Sequence, residues 1–478
     1  MLFNSLDFAV FLPIVFVLYW FVLKNRLRAQ NLLIVGASYL FYGWWDYRFL
    51  SLILFSTVVD YSIGRLLAKE QVQLRRKALL WVSILVNLGF LGFFKYYNFF
   101  LDNFVQAFSF FGQEISSSGL NIILPVGISF YTFQTLSYTI DVYKRNLEPT
   151  KDFVGFMAFV SFFPQLVAGP IERATNLLPQ FYVHRKFDYT KAVDGLRQIL
   201  WGLFKKVVIA DQCAALVNPI FENSDNLNGS TLLWGAFLFA FQIYGDFSGY
   251  SDIAIGTSRL FGFNLMRNFA FPYFSRDIAE FWRRWHISLS TWFRDYLYIP
   301  LGGSRGGMNM RLRNTFIIFL VSGFWHGANW TFIIWGGLNA IYFLPLLLAK
   351  KNRQNIDIIG GEGTPISLRD VLNVLGTFLL TLLAWVFFRA ESVSHALRYI
   401  GGIFDASLFG SLEHYSGLLF FLILVFLVIE WFGRESEYAI ERIGFRAPKM
   451  VRWSFYMVLT LMIVAYMDNQ QDFIYFQF

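Results

Sequence analysis

The sequence predicts an all-α polytopic membrane protein, and three observations carry that prediction. Hydrophobic residues make up 56% of the 478-residue chain and charged residues only 15%, at a mean hydropathy of +0.48. That is more apolar surface than one soluble core can hide. Apolar runs of about 17 to 25 residues, the length that crosses a bilayer as a helix, recur from end to end. The net charge of +8 comes from basic residues scattered in short loops between those runs, which is the positive-inside pattern and not a nucleic-acid-binding patch. A lone cysteine, Cys213, excludes an intramolecular disulfide.

The first span, Ser5–Leu23, has no basic region before it and no small-residue cleavage pattern after it, so it is expected to stay as an anchor. Lys24, Arg26 and Arg28 follow, then apolar runs to Trp45 and from Phe49 to Ala68, then Lys69, Arg75, Arg76 and Lys77. With both basic loops in the cytoplasm, the N-terminus lies outside. A span at about Ala78–Phe94 leads to Leu101–Gly119, which carries Asp102 and Glu114 without Lys or Arg and fits the outer side. The chain re-enters through Leu124–Tyr143 to Lys144 and Arg145. Phe153–Pro170 is apolar but has basic sequence on both sides and contains Pro164, Gly169 and Pro170. It reads as a re-entrant or broken helix, because Pro and Gly interrupt the backbone ladder.

A helix from about Val193 to Pro219 crosses outward, and Leu232–Phe261 returns carrying YGDFSGYSD at 244–252. Two aspartates and two serines do not suit lipid, so this stretch is expected to line a cavity. Arginines from Arg259 to Arg284 and from Arg305 to Arg313 flank the segment around His286. That segment is expected to dip in from the cytoplasmic side and return. Asn314–Leu348 as one helix would run about 50 Å against a hydrocarbon core of about 30 Å, so a break is expected at HGAN, 326–329. Val371–Phe388, Leu418–Phe432 (toward Arg434, Arg442 and Arg446) and Ser454–Tyr466 complete about 11 to 12 crossings and leave the C-terminus outside.

Glu280–Trp335 is the chemically richest stretch, with two of the five histidines, His286 and His326, in sequence that otherwise suits lipid. Imidazole suits proton transfer because its ordinary pKa lies near 6.5. His326 at a helix break next to Asn329 fits either a base exposed to a small internal chamber or a histidine hydrogen-bonded between helices. His286 sits among Trp282, Trp285, Trp292, Arg283, Arg284 and Arg294, which fits either an interfacial anchor or a vestibule for a phosphate-bearing donor. No P-loop, HExxH or CxxC pattern occurs, and no metal site is expected.

EFWRRWHISLSTWFRDYLYIPLGG, FWHGANWTFIIWG, DFSGYSDIAIG and LPVGISFYTFQTLSYTIDVY resemble the membrane-bound O-acyltransferase family, with similarity running from about Met1 to Phe388. YIPLGGSRGG and GFWHGANW favour the bacterial branch that O-acetylates exported polysaccharides such as alginate over the D-alanyl transferases of teichoic acid. The resemblance implies one membrane-embedded domain over residues 1–478, its helices ringed around a central tunnel, with a family core at about 1–388 and C-terminal helices at about 389–478. It implies acetyl-CoA as donor from the cytoplasm, with no bound cofactor, in the bacterial inner membrane. It further implies a polysaccharide acceptor outside and an extracytoplasmic acetyltransferase partner of the SGNH type. His326 matches the family's catalytic histidine and His286 its second polar position, while Asn339 stands where relatives often carry a further histidine.

Joined to the residue chemistry, the expectation is that His326 acts as general base on an acceptor hydroxyl, a role worth about 10²- to 10⁴-fold. Arg283 and Arg284 hold donor phosphates. Trp285, Trp325 and Asn329, with Asp246, Ser248, Tyr250 and Asp252, line the tunnel. The two histidines form separate stations along it, the donor end at His286 and the transfer point at His326. A transporter of a polar solute and a scaffold that only recruits the outer partner are the competing classes, since intramembrane charges and broken helices serve them too.

Overall fold

The computed structural model describes residues 1–110, 119–120, 122–361, 365–443 and 447–476, and among these every regular element is helical. In chain order the α-helices are α1 Leu6–Val17, α2 Leu27–Asp46, α3 Leu50–Lys69, α4 Gln73–Leu91, α5 Tyr97–Phe110, α6 Ile128–Tyr143, α7 Phe153–Val160, α8 Ala174–Leu177, α9 Tyr189–Leu203 and α10 Asp211–Glu222. Then come α11 Gly229–Leu260, α12 Ile278–Arg284, α13 Ile287–Phe293, α14 Met308–His326, α15 Trp330–Leu348, α16 Leu368–Arg389, α17 Val393–Ile403, α18 Gly417–Gly433 and α19 Lys449–Tyr466. The helical runs Leu27–Lys69, Gln73–Ser109, Trp330–Leu348, Leu368–Arg389 and Lys449–Tyr466 are long and apolar enough to cross a membrane, and Leu6–Val22 and Gly417–Gly433 are shorter but as apolar. This is a multi-pass, all-α membrane protein. Residues 1–192 with 257–265 form one compact unit, and residues 193–256 with 266–478 form a second.

In the first unit, Leu27–Lys69 is too long for one crossing, and a 3₁₀ turn at Tyr47–Phe49 divides it, as the polar break in the sequence implied. A buried carboxylate ties three helices together. Asp60 of α3 accepts hydrogen bonds from Ser83 (2.5 Å) and Asn87 (2.9 Å) of α4 and from Thr139 (3.1 Å) of α6. An acid inside lipid persists only when surrounded this way. Phe153–Pro170 is broken as expected: α7 stops at Val160, and the turns that follow are buried. In the segment assigned to the outer side, the chain stays helical through Phe110. Phe100, Phe104 and Phe108 recur at four-residue spacing and stack one face of that helix, a signal that charge counting passes over. Glu114 and Arg446 lie outside the described residues.

In the second unit two helix pairs approach closely through glycine. A Cβ on Gly202 of α9 would lie 2.6 Å from the carbonyl oxygen of Gly249 on α11, and one on Gly256 would lie 2.4 Å from that of Gly195. The antiparallel pair α14 and α15 meets the same way, with a Cβ on Gly323 falling 2.2 Å from the Phe332 oxygen and one on Gly336 falling 2.2 Å from the Phe319 oxygen. Small residues let membrane helices pack backbone to backbone, and no side chain fits at these points. The break between α14 and α15 falls at 327–329. After α19 the chain turns back: Phe473 and Ile474 are 2% and 0% exposed within this unit. This stretch after the last long helix is therefore a packed element.

Candidate active site

His326 is the last residue of α14, and the extended Gly327 ends the helix directly behind it. Asn329 starts α15 by accepting the Thr331 backbone N–H at 3.0 Å, and its Nδ2 donates to the Glu391 carbonyl at 2.9 Å. The loop carrying the imidazole is thus capped on one side and tethered on the other. Trp325 meets the His326 ring edge-on at 4.9 Å, and Trp335, Phe388 and Tyr475 stand at 5.1, 5.3 and 5.7 Å between ring centroids.

His286 sits between α12 and α13 with φ 43°, a left-handed conformation that few non-glycine residues adopt. Asn268 holds it there. Its carbonyl accepts the Ile287 N–H at 2.9 Å, its Oδ1 accepts the Ser288 hydroxyl at 2.9 Å, and its Nδ2 donates to Ser251 at 3.1 Å. Phe247 of α11 packs edge-on against the imidazole at 4.6 Å. The ring is 1% exposed, and neither of its nitrogens has a hydrogen-bond partner among the described residues.

The His286 and His326 rings lie 6.3 Å apart. They belong to one buried aromatic cluster, closer together than the separate donor and transfer stations expected from the sequence. The αL turn at His286 brings its ring toward the α14–α15 loop, and spacing along the chain does not encode that approach. Trp285, next to His286, is stacked on Phe281 at 5.5 Å and packed on Trp385 at 5.0 Å.

The other predicted residues divide into support and surface. Asp246 pairs with Lys206 at 2.9 Å and accepts the Ile474 N–H at 2.7 Å. Lys206 also pairs with Asp211 at 2.8 Å and donates to the Gln471 carbonyl at 3.0 Å. This buried cluster therefore clamps the returning tail and so delivers Tyr475 to His326. Asp252 pairs with Lys205 at 2.5 Å and accepts from Gln198 at 2.8 Å. Ser248 is buried, and Tyr250 packs on Phe473 at 5.0 Å. Asn339 accepts from the Trp282 indole at 3.2 Å and donates to the Trp335 carbonyl at 2.8 Å, tying α15 to α12.

Arg284 pairs with Glu280 at 2.6 Å and donates to the Asp357 carbonyl, whereas Arg283 donates to the carbonyls of Asn352 and Asn355 at 2.9 and 2.6 Å. Arg283 also faces an open cavity of about 690 Å³ with Arg294, Arg311 and Arg353 on one side and Phe319 and Phe343 on the other. Outside the spans, the Arg276 guanidinium beside Asp357 holds that carboxyl below its ordinary range. Sequence reasoning missed Lys206, Asp211 and Tyr475. Two adjacent lysines inside an apolar run were the available signal for the first. An aromatic run after the last span, too short to cross a membrane, was the signal for the tail.

Fold and site together define a multi-pass membrane protein with two buried histidines enclosed by aromatic rings. Residues 48–360 match the membrane-bound O-acyltransferase family. The chain is 41% identical over 457 residues to a "Probable alginate O-acetylase" of Azotobacter vinelandii, covering 94% of this chain and 88% of that protein. It is equally similar to one of Pseudomonas aeruginosa, at 41% over 457 residues, 94% of this chain and 84% of that protein. A peptidoglycan O-acetyltransferase of Helicobacter pylori is 36% identical over 433 residues, covering 84% and 80%. The chain belongs to the membrane-bound O-acyltransferase family and is an O-acyltransferase.

Proposed function

We propose that the protein moves acetyl groups from cytoplasmic acetyl-CoA across a bacterial inner membrane for O-acetylation of an exported or cell-wall polysaccharide. The polymer class rests on the relatives' names, which specify alginate and peptidoglycan, both glycans. The observation that carries the mechanism is the packing of Tyr475 against His326 at 5.7 Å, with His286 at 6.3 Å from the same ring.

The donor enters at the arginine-lined cavity, where Arg283, Arg294, Arg311 and Arg353 suit phosphates and the phenylalanine wall suits an apolar arm. Beside His326 the Tyr475 phenol is the hydroxyl that the chain itself presents. Its oxygen attacks the thioester carbonyl carbon while His326 takes the proton. The carbon–sulfur bond then breaks, and the departing thiolate takes that proton back. The products are an acetyl ester on Tyr475 and free CoA thiol. A phenol, with a pKa of about 10, is a better leaving group than a sugar alcohol, so onward transfer from Tyr475 to a polysaccharide hydroxyl runs downhill. An extracytoplasmic SGNH-type partner performs that second transfer. This orientation keeps the basic loops in the cytoplasm and the N-terminus outside.

The test is labelled acetyl-CoA with purified protein in vesicles. Wild type releases CoA thiol, and His326→Ala lowers the release about 10²- to 10⁴-fold while melting like wild type. Unchanged release in a folded His326→Ala protein removes the histidine from the chemistry.

A further inference from the structure

The first unit carries a basic recess of its own, a cavity of about 670 Å³ to which His184, Arg185, Lys186, Lys191 and Arg259 contribute. The lining carboxylate, Asp188, has one oxygen committed to its own backbone, where it accepts the Thr190 and Lys191 N–H groups at 2.9 and 3.1 Å. The balance of charge is strongly positive. The walls are rigid: buried Arg185 donates to Asn31 Oδ1 at 2.7 Å and to the Gln180 carbonyl at 3.0 Å, with its guanidinium 4.7 Å from the Phe263 ring centroid. Gln180 in turn exchanges two hydrogen bonds with the Asn264 backbone at 2.9 and 3.0 Å.

The rim is apolar where a soluble-ligand site would be polar. Val183, Phe187 and Tyr189 are 61%, 49% and 74% exposed. Trp20 at the recess lies near the end of the apolar run Leu6–Val22, whose Phe21 and Val22 face outward at 73% and 60% exposure. Cations beside outward-facing aliphatic and aromatic side chains match an interface where a headgroup phosphate and acyl chains must be met together. We propose that this recess binds an anionic diacyl phospholipid of the cytoplasmic leaflet, with its phosphate held by Lys186, Lys191 and Arg259 and its chains running along Phe21 and Val22. A free phosphoanion would use the cations and leave that apolar edge unexplained.

The experiment places the full chain in nanodiscs of phosphatidylcholine with a graded fraction of phosphatidylglycerol and counts the lipids retained after release into the gas phase by native mass spectrometry. Wild type keeps phosphatidylglycerol preferentially. K186Q/K191Q weakens that preference about 30-fold, the effect of removing two interfacial cations, whereas K69Q/K77Q, which removes two cations elsewhere in the unit, leaves it intact. All three proteins melt alike in pure phosphatidylcholine. Equal retention by K186Q/K191Q and wild type overturns the proposal. So does displacement of the retained lipid by millimolar adenosine 3′,5′-bisphosphate, which assigns the recess to a soluble phosphate ligand instead.

Discussion

Replacing Tyr475 by phenylalanine separates chemistry from packing within one residue. The Tyr475 ring touches Phe247 at 4.6 Å, Phe473 at 5.6 Å and His326 at 5.7 Å, and Tyr475→Phe retains all three contacts. What it loses is the hydroxyl, whose hydrogen bonding contributes about 0.5–1.5 kcal/mol, a small change in a fold of this size. Tyr475→Ala removes the ring as well and costs about 3–5 kcal/mol. The assay incubates each protein with labelled acetyl-CoA in the absence of polysaccharide, then maps label onto the C-terminal peptide by mass spectrometry. Wild type carries one acetyl group there, and mild base removes it as expected of a phenyl ester. Tyr475→Phe carries none and supports no polymer acetylation in cells, while melting within a few degrees of wild type. A Tyr475→Phe protein that still sustains polymer acetylation refutes the phenol as acceptor, because nothing but the oxygen has changed.

Three further outcomes follow from the packing. Lys206→Met leaves Asp211 and Asp246 facing each other without their shared cation and costs about 3–5 kcal/mol; scanning calorimetry in detergent checks it, and an unshifted melt would mean the cluster is not paired as described. Gly323→Ala drives a methyl into the Phe332 carbonyl and costs about 1–3 kcal/mol in overpacking, with acetyl transfer falling as well because His326 ends the same helix; the same substitution at Gly376, where a Cβ meets nothing within 4 Å, serves as the neutral control. Asp357→Asn removes the ion pair from the 352–357 loop to Arg276, leaving the hydrogen bonds of Arg276 and Arg284 to the residue 357 carbonyl, and costs at most about 1 kcal/mol, since the carboxylate is largely exposed. Because its folded pKa is depressed, that contribution is present above the ordinary Asp value of about 3.9 and disappears as pH falls through the lower folded value; protease nicking of the loop, followed against pH, reads it directly.

Local features were legible from residue patterns, and long-range convergence was not. The break at 327–329 could be read because a helix from Asn314 to Leu348 exceeds the bilayer and glycine offers the place to stop. The broken segment after Val160 could be read from Pro164, Gly169 and Pro170 and from the basic flanks. Asp246 and Asp252 were correctly marked as too costly for lipid, but their partners Lys205 and Lys206 sat unremarked inside the span Val193–Pro219. Matching buried acids to buried bases would have paired those helices, since a charge inside a membrane protein requires a counter-charge. The aromatic run around Tyr475 could be noticed, but no periodicity or motif says where a chain returns after its last span. The Ile474 N–H to Asp246 bond and the Lys206 to Gln471 bond that hold it there are long-range events.

The two histidines carry different costs, and the difference argues for different tasks. His326 ends a regular helix in an ordinary backbone conformation, so its position needs only the cap at Asn329 and the aromatic walls. His286 is held at φ 43°, buried, with both nitrogens lacking partners among the described residues. Backbone strain of this kind costs about 1–3 kcal/mol, and burying unpaired polar atoms adds about 1–3 kcal/mol. Nothing about its packing repays that. A phenylalanine would fill the space between Phe247 and Trp325 without the polar penalty, and a glycine would take the turn without the strain. What imidazole adds at that point is a hydrogen bond reserved for a group that arrives from outside the chain. We propose that this group is the thioester, met 6.3 Å from the His326 ring, with His326 handling the proton of the attacking hydroxyl and His286 meeting the carbonyl oxygen as charge builds on it.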